Sequence, residues 1–143
     1  MVGDRLAYLF KRAHADLAVL HEELLAPFGI SAGELAVLML IQAHEPESQQ
    51  QVALRLGIDR TTMVELIDVL EDKGLVTRRP DAADRRRKVL ELTAEGQATL
   101  PRATRASNQA EQQLLAELDE NERIVLRNLM RRIAAAPGQP QRH

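Results

Sequence analysis

SQQQVALRLGIDRTTMVELIDVLEDKGLVTRRPDAADRRRKVLELT, residues 48–93, decides the fold. Two short helical patterns meet at Leu56-Gly57-Ile58, where Gly57 supplies the permissive backbone a tight turn needs. Two helices joined by a short turn containing glycine make a helix-turn-helix. A strand pattern, Leu75 to Arg79, follows, then a turn at Pro80 to Asp84 and a returning strand from Arg87 to Leu92. A helix-turn-helix followed by a hairpin is a winged helix-turn-helix, with a basic cluster, Arg85-Arg86-Arg87-Lys88, on the wing.

Side-chain chemistry supports each boundary. Ser48 with Gln51 reads as a capping box opening the first short helix, whose Val52, Ala53 and Leu56 face inward. Ile58 is placed to plug the gap between the helices. Asp59 caps the second helix, where Val64, Ile67 and Leu70 recur at helical period and Met63 is expected to be partly buried. Lys73-Gly74 ends it, a cation in the last turn with glycine beyond.

Outward from this centre the chain is helical. Leu6, Phe10, Ala13, Leu17, Leu20 and Leu24 form a heptad seam in a helix expected over residues 4–26, which Pro27 and Gly29 end. Ser31 and Glu34 form another capping box, before a mostly buried helix carrying Leu35, Leu38, Met39 and Ile41. His44 to Glu47 reads as a loop. Beyond the wing, Thr93 opens a long helix to about Glu117, with a kink or a late start expected at Pro101. Its Leu100, Ala103, Ser107, Ala110, Leu114 and Leu118 repeat at steps of three and four. Asp119 opens a last helix to about Ala135 carrying Val125, Leu129 and Ile133, and Pro137 to His143 reads as a loose tail. A small domain does not need such end seams for its own core. The ends are therefore expected to pack together, within one chain and between two.

Composition narrows the function. With only three aromatics in 143 residues, the core must come from Leu, Val, Ile, Ala and Met, which favours helices on helices. The net charge is −2 overall, but residues 73–88 hold seven basic and two acidic side chains and residues 1–47 hold three basic and seven acidic. Such asymmetry focuses a polyanion onto one face without an overall positive charge. The absence of cysteine excludes disulfides and thiol sensing. The histidines show no metal-ligand spacing, no catalytic constellation stands out, and no cofactor is expected. Without a basic, apolar leader or a membrane-length apolar run, the expectation is a cytoplasmic, non-enzymatic protein.

The candidate site residues follow from position. Arg60, Thr61, Thr62 and Glu65 lie on the second helix away from Val64 and Ile67, where arginine can pair with guanine and threonine with a base edge, a thymine methyl or a phosphate. Glu65 can accept from a cytosine amine or orient an arginine. Ser48, Gln49 and Gln50 open the preceding helix, whose free N–H groups suit a phosphate. On the wing, Asp84 can hold the guanidinium of Arg86, and an arginine at a hairpin tip fits a narrow minor groove. Arg78, Arg85, Arg87 and Lys88 can add phosphate contacts. A charge run is ordinarily only a solvated surface; its place on a turn directly after a helix-turn-helix argues for contact. His14 and His21, seven residues apart on one helix face, are candidates for polar groups in a ligand pocket, or are simply exposed.

Leu66–Val76 (LIDVLEDKGLV), the wing motif Asp84–Arg86 and the exit Leu92–Gly96 (LTAEG) resemble the MarR family of bacterial transcription regulators, as does the opening SQQQVALRLGI. The resemblance implies a homodimer whose first and last helices interlock and whose two winged modules reach successive major grooves of a pseudo-palindromic double-stranded DNA operator. It further implies a repressor that releases DNA when a small aromatic or phenolic effector binds. Arg86 matches the family's minor-groove arginine, Asp84 its partner, and Arg60, Thr61 and Thr62 the base-facing helix start. Glu65 departs from the polar or basic residue the family pattern has there.

The expected architecture is mostly α with a small β-hairpin wing: a winged helix-turn-helix over residues 31–96, dimerisation helices over 1–30 and 97–137, and a tail over 138–143. The alternative is a winged-helix module that binds another protein and not DNA.

Overall fold

The computed structural model describes residues 1–43 and 47–134, with the backbone alone at 47–51 and 55. The order is α1 (Leu6–Leu25), α2 (Ala32–Ala43), β1 (Glu47–Ser48), α3 (Gln49–Leu56), α4 (Arg60–Asp72), β2 (Val76–Pro80), β3 (Lys88–Leu92), α5 (Ala94–Leu114) and α6 (Glu120–Ile133). Short 3₁₀ turns, Val2–Asp4 and Ala26–Phe28, flank α1.

The centre folds as its sequence dictates. Both helices of the helix-turn-helix close in the same way. Gly57 at φ 66° and Gly74 at φ 75° take the left-handed conformation that strains any residue with a Cβ. After α3, Gly57 N–H donates to Leu54 C=O and Ile58 N–H to Ala53 C=O. After α4, Gly74 N–H donates to Glu71 C=O and Leu75 N–H to Leu70 C=O. These paired bonds satisfy carbonyls that a helix end otherwise leaves orphaned. At the start of α4, Asp59 Oδ1 accepts from Thr62 N–H at 2.7 Å. The Ser31–Glu34 capping box of α2 forms in both directions, at 3.1 and 3.2 Å. The box expected at Ser48 and Gln51 and the tail from Pro137 lie outside the described side chains and residues.

Leu25, Val37, Leu38, Val52, Met63, Ile67, Leu70, Val76 and Leu90 are fully enclosed, and form the core between α1's end, α2, the helix-turn-helix and the sheet. Burying a side chain of this size stabilises by about 1.5–3 kcal/mol. Met63 is wholly buried and Val64 only half-buried, which corrects the expected order: the inward stripe of α4 is Met63-Ile67-Leu70. That stripe centres on the i, i+4, i+7 row that α4 turns toward α2 and β2.

Three further corrections concern the edges. Glu47 and Ser48, expected as loop and cap, form a third strand pairing antiparallel with Leu90 and Val89, so the sheet order is β1-β3-β2. β3 has an edge left open by the hairpin, and two residues suffice to cover it. The long helix α5 begins at Ala94, well before Pro101, because Thr93 caps it firmly: its Oγ1 accepts from Gly96 N–H at 3.0 Å and donates to Gly74 C=O at 2.6 Å. α5 also stops at Leu114, so Leu118 sits in the connection to α6 and not on the helical stripe.

The ends differ from the centre. α1 packs along α5, where His21 Nε2 meets Ser107 Oγ at 2.9 Å. Its first three turns nevertheless leave Leu6, Leu9 and Phe10 exposed, although two of these belong to the heptad seam. α6 has a full capping box at Asp119 and Glu122 and buries none of its residues, leaving Ile124, Val125, Leu129, Met130 and Ile133 exposed.

Candidate nucleic-acid interface

Because the core claims Met63, Ile67 and Leu70, the opposite side of α4 is left to solvent, and Arg60, Thr61, Thr62 and Glu65 are all exposed there. Asp59, which fixes the start of this helix, has its carboxyl held below its ordinary 3.8 by the hydrogen bonds it accepts from the Thr62 backbone and side chain. An ionised cap at the first turn is favoured by the helix dipole as well.

The wing is a hairpin with exact pairing from Val76↔Leu92 to Pro80↔Lys88. Its loop, Asp81 to Arg87, is organised by its own aspartates. Asp81 Oδ1 accepts from Ala83 N–H at 3.0 Å, and Asp84 Oδ1 accepts from Arg86 N–H at 3.1 Å. Arg86 projects from the tip with its side chain 96% exposed, its Nε 3.7 Å from Asp84 Oδ1. The aspartate therefore shapes the turn and lies within ion-pair distance of the guanidinium. Arg85 and Lys88 are exposed, and Arg87 lies 4.0 Å from Asp81.

Arg78 is turned elsewhere. Its guanidinium donates to Asp68 at 2.9 Å and to Glu71 at 2.7 Å, both on α4. This fork bolts the wing to α4, so Arg78, expected as a phosphate contact, also braces the two elements against each other. The two acids sit three residues apart on one helix face, opposite an arginine in the strand that returns along the helix. That spacing was readable, but only the tertiary packing shows which arginine it serves. A second pair the sequence reading missed joins Arg79 to Glu91 at 2.7 Å, diagonally across the hairpin. The Arg79 side chain holds the Glu91 carboxyl below its ordinary 4.5. Lys73, expected to complement its own helix end, instead crosses to Glu34 Oε1 at 2.7 Å.

Ser48, Gln49 and Gln50 are placed by their backbone at the β1–α3 junction, and their side chains lie outside the described ones. His14 is exposed on α1, and His21 is engaged with Ser107. Neither lines the open cleft of about 380 Å³ between α2 and α5, which Met39, Gln42, Ala43, Leu100, Pro101 and Thr104 wall. A second cleft, about 370 Å³, lies between the end of α1 and the outer face of α5, where the Arg102 guanidinium stacks 5.4 Å from the Phe28 ring centre. Among the described residues no single helix is long and apolar enough to cross a membrane.

Comparison with known proteins gives these elements a context. A model of the MarR family matches residues 28–87. A protein named for transcriptional regulation of the hcr operon in Thauera aromatica is 32% identical over 105 residues, 73% of this chain, and the match spans 63% of that protein's length. The transcriptional regulator HosA of Escherichia coli is 31% identical over 101 residues, covering 70% of this chain and 74% of HosA. The transcriptional repressor CouR, in a structure bound to a 23-mer DNA duplex, superposes with a TM-score of 0.87 at 32% identity, covering 94% of this chain and 95% of that one. A further structure, CouR from Rhodococcus jostii RHA1 bound to p-coumaroyl-CoA, superposes with a TM-score of 0.83 at 26% identity, covering 100% of this chain and 98% of that one.

Proposed function

The chain belongs to the MarR family of transcriptional regulators, and on that premise we propose that it is a dimeric repressor that reads a pseudo-palindromic DNA operator and is released by a small-molecule effector. The observation that carries the reading is the pairing of two exposed polar surfaces on one rigid module. The free face of α4 offers Arg60, Thr61, Thr62 and Glu65, and the wing tip offers Arg86 within ion-pair distance of Asp84. A helix face of that chemistry suits base edges in a major groove, and a projecting arginine suits the adjacent minor groove. On this reading Arg85, Arg87 and Lys88 along the wing, with Ser48, Gln49 and Gln50 at the β1–α3 junction, supply phosphate contacts that fix register.

Dimerisation rests on the apolar residues that the single chain leaves uncovered on α1 and α6. Residues 1–30 and 97–137 form the paired part, and 31–96 the reading part. Two linked modules gain affinity through effective concentration, which one module cannot supply.

The repressor and effector roles draw on relatives and on one cleft. One relative, the repressor CouR, is solved on a DNA duplex, and the CouR of Rhodococcus jostii RHA1 is solved with p-coumaroyl-CoA, an aromatic acyl thioester. Here the α2–α5 cleft is mostly apolar, with one amide at Gln42, and lies where the reading part joins α5. A ligand seated there can change affinity only by favouring one arrangement of the two modules over another.

The test is to recover the genomic fragments that the purified protein retains, and to measure binding across a salt series with and without phenolic acids and their thioesters. Tight, salt-dependent binding weakened by one such compound is expected. Indifference to every genomic fragment at low ionic strength sinks the reading and leaves a protein-binding winged helix in its place.

A further inference from the structure

The ion pair between Glu34 and Lys73 is an unusual place for a charge. Glu34 opens α2 and is only 5% exposed. Its duty in the capping box is to accept from Ser31 N–H, 3.2 Å away, which a glutamine side chain performs equally. A carboxylate is demanded only by Lys73, whose Nζ lies 2.7 Å from Oε1 and 3.1 Å from Oε2. The same ammonium donates to the carbonyl of Gly29, the left-handed residue (φ 65°) that ends the turn after α1. One cation thus joins the C-terminal cap of α4, the elbow between α1 and α2, and the first turn of α2.

Burying a carboxylate carries a solvation cost that its partner at best offsets, and an apolar pair would cement the same elements. The apolar supports of α4, Met63, Ile67 and Leu70, are non-directional, and the Arg78 fork to Asp68 and Glu71 ties the helix to the wing strand β2 and not to α1 or α2. What the ion pair adds is one defined angle. α4 has 13 residues, about 20 Å at 1.5 Å per residue. A tilt of about 10° at the Lys73 end displaces the Arg60 end by roughly 3 Å, close to the rise of one base pair.

We propose that Lys73 and Glu34 are positioning residues: with the Gly29 carbonyl they set the tilt of the reading helix against α1, and so the separation of the two reading helices in the dimer. This rests on the dimeric reading above, and the experiment separates the two. The chain has no cysteine, so Thr62→Cys gives each full-length subunit one nitroxide site at the start of α4, and pulsed dipolar spectroscopy measures the distance between subunits. In the otherwise unaltered protein a single narrow distance is expected.

Glu34→Gln with Lys73→Met removes both charges and leaves no unpaired carboxylate. The distribution should then shift or broaden by about the 3 Å of the lever estimate, while circular dichroism and sedimentation show a folded dimer. On duplexes selected from a random library, moving the half-sites one base pair from the preferred spacing should cost the unaltered protein about tenfold in affinity, and the double variant less than about threefold. Unchanged distances and an unchanged spacing profile overturn the inference. Should the double variant not fold, Glu34→Gln alone decides, since it retains the capping box; an unchanged distribution there overturns the inference equally. No dipolar coupling between subunits in the unaltered background means a monomer, which overturns the dimeric reading and this inference with it.

Discussion

The helix-turn-helix with its wing and the terminal helices of this chain contrast in what they bury. α4 encloses Met63, Ile67 and Leu70, and its first turns leave Arg60, Thr61, Thr62 and Glu65 exposed on the other side. α6 is as amphipathic to the eye and encloses nothing, with Ile133 67% exposed at one end and Ile124 46% at the other. The same helical periodicity thus has two outcomes. In one the apolar stripe is satisfied inside the chain, and the polar face is the surface that functions. In the other the apolar stripe itself is the surface, because an uncovered patch of this kind on a small protein marks an interaction site.

Breaking the ends should have the largest effect. Val125→Lys with Leu129→Lys places two charges on the exposed α6 stripe. Sedimentation should show monomers, and operator affinity by fluorescence anisotropy should fall on the order of 100-fold, the avidity of two linked modules. The far-ultraviolet signal of the reading part should persist. A dimer of undiminished affinity would falsify the contrast.

The join between the regions comes next. A Cβ on Gly96 would lie 2.2 Å from Leu75 C=O, a contact with backbone that cannot be relieved by a rotamer. Gly96→Ala should therefore lower stability by about 2–3 kcal/mol in urea unfolding, the scale of overpacking in a core. A shift under about 0.5 kcal/mol, typical of surface changes, means the approach of α5 to β2 is looser than described.

Within the reading part, two arginines separate contact from scaffold. Arg86→Ala should weaken operator binding about tenfold, the scale of 1–3 kcal/mol for a lost groove contact, and leave the thermal midpoint unchanged. Arg78→Ala should do the reverse. Its ion pairs with partly exposed Asp68 and Glu71 are screened by solvent, so the loss should be about 1 kcal/mol or less of stability, with a smaller effect on binding. Identical behaviour of the two variants removes the distinction.

The smallest expected effect is the response to acid. Asp59 and Glu91 are both held below their ordinary 3.8 and 4.5. A depressed carboxyl stabilises the fold above its unfolded value and ceases to do so as pH falls through its folded value. The thermal midpoint should therefore be insensitive to these groups between pH 6 and 8, and fall below about pH 4. Asp59→Asn with Glu91→Gln should make that acid limb shallower.

Much of this was legible beforehand because it is local. Gly57, Gly74, the Ser31–Glu34 box, and the Asp59 and Thr93 caps act within a few residues of themselves, and the wing's aspartates organise their own loop. Where local rules met packing, packing decided. Met63 displaced Val64 from the core stripe. Glu47 and Ser48 became a strand because β3 had an open edge, and no pattern of two residues announces that. His14 and His21 share a helix face, but only α5 determined that His21 would meet Ser107.

The amino-acid order by itself determined the elements, their sequence along the chain, the glycine turns, the basic wing and the family resemblance, since each depends on period, capping or charge over short distances. The tertiary structure alone decided which arginine braces the wing against α4 and which projects, that Lys73 joins three elements, and that no residue of α6 is buried among the described residues. Those outcomes depend on which distant surfaces meet, and burial can be assigned only once they have met.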